Sequence, residues 1–121
     1  MPGSRSNYRH LCSELVFVSR PDRPSQNMLL GNLEEIGEFF AEILTECAFP
    51  RNAEVRILSE SYKLEGVVES CTFRRSLGFF VKVKLGPHSR WSERWFTPKH
   101  LLRLWSGGPP KVSPLKATSG S

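Results

Sequence analysis

The chain is short of cysteine, has no long apolar run and carries no motif of catalysis, and each shortage closes off a class of function. Its three cysteines, Cys12, Cys47 and Cys71, are odd in number and far apart. With no CxxC and no histidine at metal-ligand spacing, they predict reduced thiols and no metal. No stretch is long and apolar enough to cross a bilayer, and the start, MPGSRSNYRH, lacks the apolar core of a secretory signal. A cytoplasmic protein is expected. His10, His88 and His100 have no serine or cysteine in a nucleophile setting, and there is no Gly-rich phosphate loop or metal-binding carboxylate cluster. These absences predict a protein that is not an enzyme and needs no cofactor.

What is present is enough for one small core. The 121 residues, 39% hydrophobic and 11% aromatic, fit a single globular domain and argue against disorder. The clearest pattern runs from Lys63 to Leu85. Leu64, Gly66, Val68, Ser70 and Thr72 alternate with Glu65, Val67, Glu69, Cys71 and Phe73. A turn at Arg74, Arg75, Ser76 and Gly78 follows, and then Phe79, Val81, Val83 and Leu85 oppose Lys82 and Lys84. This predicts two long antiparallel strands with one apolar face, which other strands must cover.

The rest is read around that hairpin. Cys12 to Val18, Met28 to Leu33 and Glu54 to Leu58 are expected strands, and SRPDRPSQN from Ser19 to Asn27 is a loop. Between Leu33 and Cys47 two readings compete. Leu33, Ile36, Phe39, Phe40, Ile43 and Leu44 recur at helical spacing, with Asn32 as an N-cap. Alternatively Gly37 ends a turn, and Glu38 to Leu44 forms a strand with Phe39, Ala41 and Ile43 on one face. Pro50 stops either element. Many short strands and little room for crossovers point to a small antiparallel barrel or sandwich. The Pro, Gly and Ser content from Ser106 onward predicts a mobile tail.

The formal charge of +5 favours an anionic partner. Arg5 and Arg9 form an R-x-x-x-R leader before the first strand, and two guanidinium forks can hold phosphate or the O6/N7 edge of guanine. The spacing recurs at Arg90 and Arg94 among the tryptophans. The segment from Arg90 to Trp105, with Trp91, Trp95 and Phe96, either caps a barrel end or offers an exposed partner surface. Lys99 to Trp105 suits a short helix or a docked extended segment.

From Arg5 to Leu104 the chain resembles the PilZ family of bacterial proteins. The resemblance is carried by R-S-N-Y-R, then C-S-E-L-V-F-V, L-G-N-L-E-E-I-G, V-R-I, L-E-G-V-V-E-S-C, G-F-F-V-K-V-K-L and H-L-L-R-L. It implies a small six-stranded antiparallel β-barrel of split-barrel type and, in many members, a receptor site for cyclic di-GMP. In those members an R-x-x-x-R leader closes on a second motif, [D/N]-x-S-x-x-G. The residues implied here are Arg5 and Arg9, with Asn32 at the Asp/Asn position and Gly37 at the glycine. Glu34 stands at the serine. Its carboxylate repels a phosphate by about 1 kcal/mol in water and about 4 kcal/mol in a drier site, yet suits the N1–H and N2–H donors of guanine. The resemblance also favours the strand over the helix at Glu38 to Leu44.

The expectation is therefore a non-catalytic cyclic di-GMP receptor that passes the signal to a protein partner in the bacterial cytoplasm. Residues 1–10 would be a flexible ligand-binding leader, 11–105 the barrel and 106–121 a disordered tail. Two alternatives stand beside it. One is a barrel with a degenerate site that acts as a protein-interaction adaptor; the other is a small barrel that binds single-stranded nucleic acid.

Overall fold

A computed structural model describes residues 9–23 and 28–103 of the chain. Arg5, most of the leader and the tail from 104 onward lie outside the described residues. Among the described residues there are seven strands: β1 (Arg9–Ser19), β2 (Leu29–Gly37), β3 (Phe40–Thr45), β4 (Glu54–Leu58), β5 (Lys63–Arg74), β6 (Gly78–Leu85) and the two-residue β7 (Leu102–Arg103). A single 3-10 turn at Pro87–Ser89 follows β6, and no α-helix occurs among the described residues. Nor is any helix there long and apolar enough to cross a membrane.

All pairings are antiparallel, in the order β2-β3-β6-β5-β4-β1-β7 with a further β1–β2 pairing. Six strands thus form a ring of hydrogen-bonded neighbours. The core inside it consists of Val16, Val18, Leu33, Ile36, Ile43, Val55, Ile57, Leu64, Val68, Val81 and Val83, each at most 2% exposed. The period-two pattern of β-branched residues on β4, β5 and β6 supplies this face directly.

The segment from Leu33 onward is strand, not helix, and a bulge explains the helical spacing. Leu33 pairs with Ile43 and Glu35 with Glu42, so β2 carries an extra residue at this point. The extra residue puts Leu33 and Ile36, three apart, on the same buried face. A second bulge interrupts β5, where Val68 pairs with Val83 and Ser70 with Lys82. Beyond it the alternation read from Leu64 reverses. Ser70 and Thr72 are exposed, while Cys71 packs against the core.

Two glycines are fixed by close approach. A Cβ at Gly66 would stand 2.3 Å from the Lys84 carbonyl oxygen of β6, and Gly78 combines φ +129° with a Cβ position 2.6 Å from the Thr45 carbonyl oxygen. Gly66 lets β5 and β6 approach closely, and Gly78 lets the start of β6 approach the end of β3.

The last described segment closes one end of the ring. Trp91 is 4% exposed, and its Nε1–H donates to the Phe96 carbonyl at 2.9 Å. Phe96 stacks on Tyr62 with ring centroids 3.7 Å apart, whereas Trp95 remains 43% exposed. Beyond them β7 extends along β1, with His10 opposite Arg103 and Leu11 opposite Leu102.

Candidate functional site

The start of β1 and the β2–β3 turn meet at a cleft of about 190 Å³, lined by Arg9, Glu35, Gly37, Glu38, Phe39 and Lys82. Arg9 and Gly37 are direct Cα partners across β1 and β2, although 28 positions (37 − 9) separate them in the chain. Gly37 ends β2 in extended conformation. The turn beyond it is held by two backbone bonds: Leu85 N–H donates to the Phe39 carbonyl at 2.8 Å and Trp91 N–H to the Glu38 carbonyl at 3.1 Å. The turn side of the cleft mouth is therefore tied to β6 and to Trp91.

The charges around it are mixed. The Arg9 guanidinium lies 3.6 Å from the Glu35 carboxylate, with 69% of the arginine side chain exposed. Lys82 Nζ sits over the Phe40 ring at 4.4 Å, and the Arg90 guanidinium over Phe39 at 4.9 Å. Glu42 faces Glu35 across β2 and β3. Burial raises its carboxyl above the usual range and the Glu35 charge adds to this, while Lys82, Arg9 and Arg74 pull it back. A carboxyl that binds protons more tightly folded than unfolded opposes folding as pH rises through and just above the ordinary carboxylate range. Glu42→Gln is expected to raise Tm by about 1–3 °C at pH 7 and to have no effect at pH 3. Thermal melts at both pH values check this, and an equal shift at each would remove the charge from the explanation.

The sequence-predicted residues fall into two places. Arg9 and Gly37 share the cleft. Asn32 and Glu34 lie further along β2, Asn32 being five residues from Gly37, roughly 16 Å at the rise of an extended strand. There Asn32 Nδ2–H donates to Glu34 Oε2 at 2.6 Å and to Ser13 Oγ at 3.3 Å. Arg5 lies outside the described residues. The side chains that sequence reasoning missed are Glu35 and Glu38. The run from Asn32 to Phe40 holds three glutamates and no cation, which signalled an acidic surface but not which carboxylate would reach Arg9.

The cleft sets donors and acceptors side by side. Arg9 offers planar donors, and Glu35 beside it offers acceptors for ring N–H groups. With Glu35, Glu38 and Glu42 against Arg9 and Lys82 at the cleft, phosphate groups need further positive charge from elsewhere.

The remaining sequence candidates lie outside the cleft. Cys12 is buried on β1 with its thiol pushed up to about 12 by burial first and the Glu14 charge second, which leaves it a poor nucleophile. Cys47 is exposed and Cys71 half-buried. His10 stacks edge-on to Trp91 at 5.3 Å, with Nε2 3.6 Å from Glu93. Among the described residues no three His, Cys, Asp or Glu side chains converge on a metal-sized site. No family model, no curated protein and no solved structure matches the chain.

Proposed function

We propose that this chain is a non-catalytic receptor module for cyclic di-GMP, built as a closed six-stranded barrel of PilZ type. The observation that carries the reading is the direct pairing of Arg9 with Gly37. The leader arginine and the glycine of the second motif, far apart in sequence, line one cleft. The ring of six antiparallel strands supports the same reading at the level of architecture.

In this reading Arg5 and Arg9 hold guanine and phosphate groups together. Arg9 exchanges Glu35 for the ligand, and the exchange is cheap: an ion pair with so exposed an arginine contributes under about 1 kcal/mol. Micromolar binding is worth about 8 kcal/mol. Glu35 then accepts from a guanine ring, and Asn32 and Glu34 offer a second guanine-edge position further along β2. Arg5 supplies the extra charge the phosphates need, and the occupied surface is what a protein partner recognises.

A second reading is favoured by a specific observation. Glu34 already occupies the Asn32 amide and Glu35 already faces Arg9. A barrel whose polar groups are satisfied internally would serve as an interaction adaptor without nucleotide. The nucleic-acid reading has less behind it, because Trp91 is in the core and, among the described residues, Trp95 alone of the tryptophans is exposed for stacking.

Calorimetric titration of cyclic di-GMP separates these readings. The wild-type chain is expected to bind at micromolar concentration or tighter, and Arg9→Ala to weaken binding by about 100-fold, as loss of a charge-assisted bidentate contact does. No heat with folded wild-type protein, together with a ligand-independent Tm, would leave the adaptor reading in its place.

A further inference from the structure

The β5–β6 hairpin outruns its neighbours at one end of the ring. β4 accompanies β5 only as far as Val67, opposite Glu54, and β3 accompanies β6 only as far as Phe79, opposite Thr45. Asn52 and Ala53 still bond to Val68, but from Ser70 to Arg74 the strand partner of β5 is β6 alone. Arg74 pairs with Gly78, so Arg75, Ser76 and Leu77 form the turn, closed by the Leu77 N–H donating to the Arg74 carbonyl at 3.0 Å.

This tip is apolar where it is most exposed. Phe73 and Leu77 are 61% and 60% exposed. Phe73 rests on Phe79 with ring centroids 5.1 Å apart, and the Arg74 guanidinium lies over the Phe80 ring at 5.6 Å. From Thr72 to Phe80 there are two arginines and no carboxylate. Arg74 and Arg75 are exposed, and no ion pair among the described residues includes either. The carboxylates nearest along the strands are Glu69 at the β5 bulge, Glu42 on β3 and Glu46 next to Thr45. Glu69 shares a recess with Arg51, and Glu42 stands opposite Lys82. That leaves Glu46 against Arg74 and Arg75, and the tip is positive.

We infer that the hairpin tip docks on an anionic bilayer surface. Its shape and its charge together select that partner. A convex turn offers no groove to hold a peptide or to track a nucleic-acid strand, and Leu77 has no ring on which a base could stack. A lipid interface needs no groove, because its headgroups part around a protruding apolar side chain while their phosphates meet the guanidiniums beside it. Phe73 and Leu77 then enter the boundary between headgroups and acyl chains, about 5–10 Å deep. Arg74 and Arg75 stay at the phosphates with their stems against the apolar layer. The net charge of +5 adds attraction at longer range. The cleft is walled by the β2–β3 turn, at the other end of β3 from Thr45. Docking keeps it clear of the bilayer, and this inference stands whether or not the cleft binds a nucleotide.

Co-sedimentation of the full chain with vesicles of equimolar phosphatidylglycerol and phosphatidylcholine tests it. Half of the protein is expected to bind below about 1 mM accessible lipid at low salt, and binding to pure phosphatidylcholine to be at least about 10-fold weaker. Phe73→Ser and Leu77→Ser should each weaken binding about 10-fold, the effect of a large apolar side chain that no longer leaves water. Arg75→Gln should weaken it about fivefold. Thermal melts check that the variants stay folded, and Leu77→Ser carries the test if Phe73→Ser lowers Tm, because Leu77 is outside the core. Leu15→Ser, 66% exposed and opposite Asn32 on the β1–β2 face, should bind as wild type. Absence of wild-type binding overturns the inference, as does equal binding to both kinds of vesicle. So does binding that Leu77→Ser leaves intact or that Leu15→Ser abolishes. A chain that ignores vesicles but binds a thymidine oligonucleotide, more weakly after Arg75→Gln, would overturn it in favour of nucleic acid.

Discussion

Glu14→Ala is expected to cost about 3–5 kcal/mol, measured as a lower urea midpoint with an unchanged slope. The reason is where the carboxylate sits. Glu14 points inward from β1 and is 6% exposed, yet it accepts from the Tyr62 hydroxyl at 3.0 Å and from the Lys99 backbone N–H at 2.9 Å. Truncation leaves both donors unpaired next to the core, which is the expensive outcome for a buried polar group.

The pairing also explains the phenol. Burial first, and the Glu14 charge second, push the Tyr62 hydroxyl well above its ordinary range, so it remains a donor at every physiological pH. Glu14 therefore ties three parts of the chain together. Lys99 is held to β1 by this bond and by the Ser13 N–H, which donates to the Lys99 carbonyl at 3.1 Å. Once the first bond goes, the Ser13 bond alone holds Lys99 to β1, and β7 beside His10 and Leu11 is less firmly anchored. Amide exchange along Leu101 to Arg103 should accelerate more than exchange in β6. The double substitution Glu14→Leu with Tyr62→Phe removes one donor along with the acceptor, and is expected to be less destabilising than the sum of its parts. Losses under about 1 kcal/mol for Glu14→Ala would show the carboxylate to be a passenger.

Glu14 illustrates what a sequence of this kind conceals. In Glu14, Leu15, Val16, Phe17 and Val18 apolar residues occupy both alternating sets, so alternation predicted a strand without saying which face was buried. The face that went inward carried the carboxylate, and the one left outside carried Leu15 and Phe17. By contrast β6 was legible because its lysines mark the outer face, and β4 because Glu54 and Arg56 mark the face opposite Val55 and Ile57. Bulges defeated the remaining pattern. At Leu33 to Ile36 an extra strand residue imitates one helical turn, and beyond Val68 another reverses the face. The candidate site was half legible: Arg9 and Gly37 were named from motifs, but that they are neighbours is a property of register. Glu35 became a partner of Arg9 through the same register, and no local feature of the run that contains it announces that.

Trp91→Ala is expected to be comparably severe, at about 3–5 kcal/mol, or a Tm lower by roughly 12 °C or more for a domain of this size. Trp91 fills the closed end of the ring between His10, whose ring lies 5.3 Å away, and Phe96 at 6.2 Å. Its backbone N–H holds the Glu38 carbonyl, and so fixes the turn that forms one wall of the cleft. The substitution thus joins stability to the site, because a cavity at the indole frees both the 90–96 segment and the turn it braces. Trp91→Phe separates the two roles. It keeps an aromatic ring against His10 and Phe96 but removes the Nε1–H donor, leaving the Phe96 carbonyl without its partner. A loss of about 1–2 kcal/mol is expected for that hydrogen bond and the smaller ring. Since the Trp91 backbone is then still in place, the Glu38–Phe39 turn should hold its shape, and the heat of any cyclic di-GMP titration should match wild type. If Trp91→Phe instead weakens binding while the protein stays folded, the indole itself sets the geometry of the cleft through His10, the neighbour of Arg9. If Trp91→Ala melts within about 2 °C of wild type, the 90–96 segment is an attachment to the ring and its burial contributes little to the core.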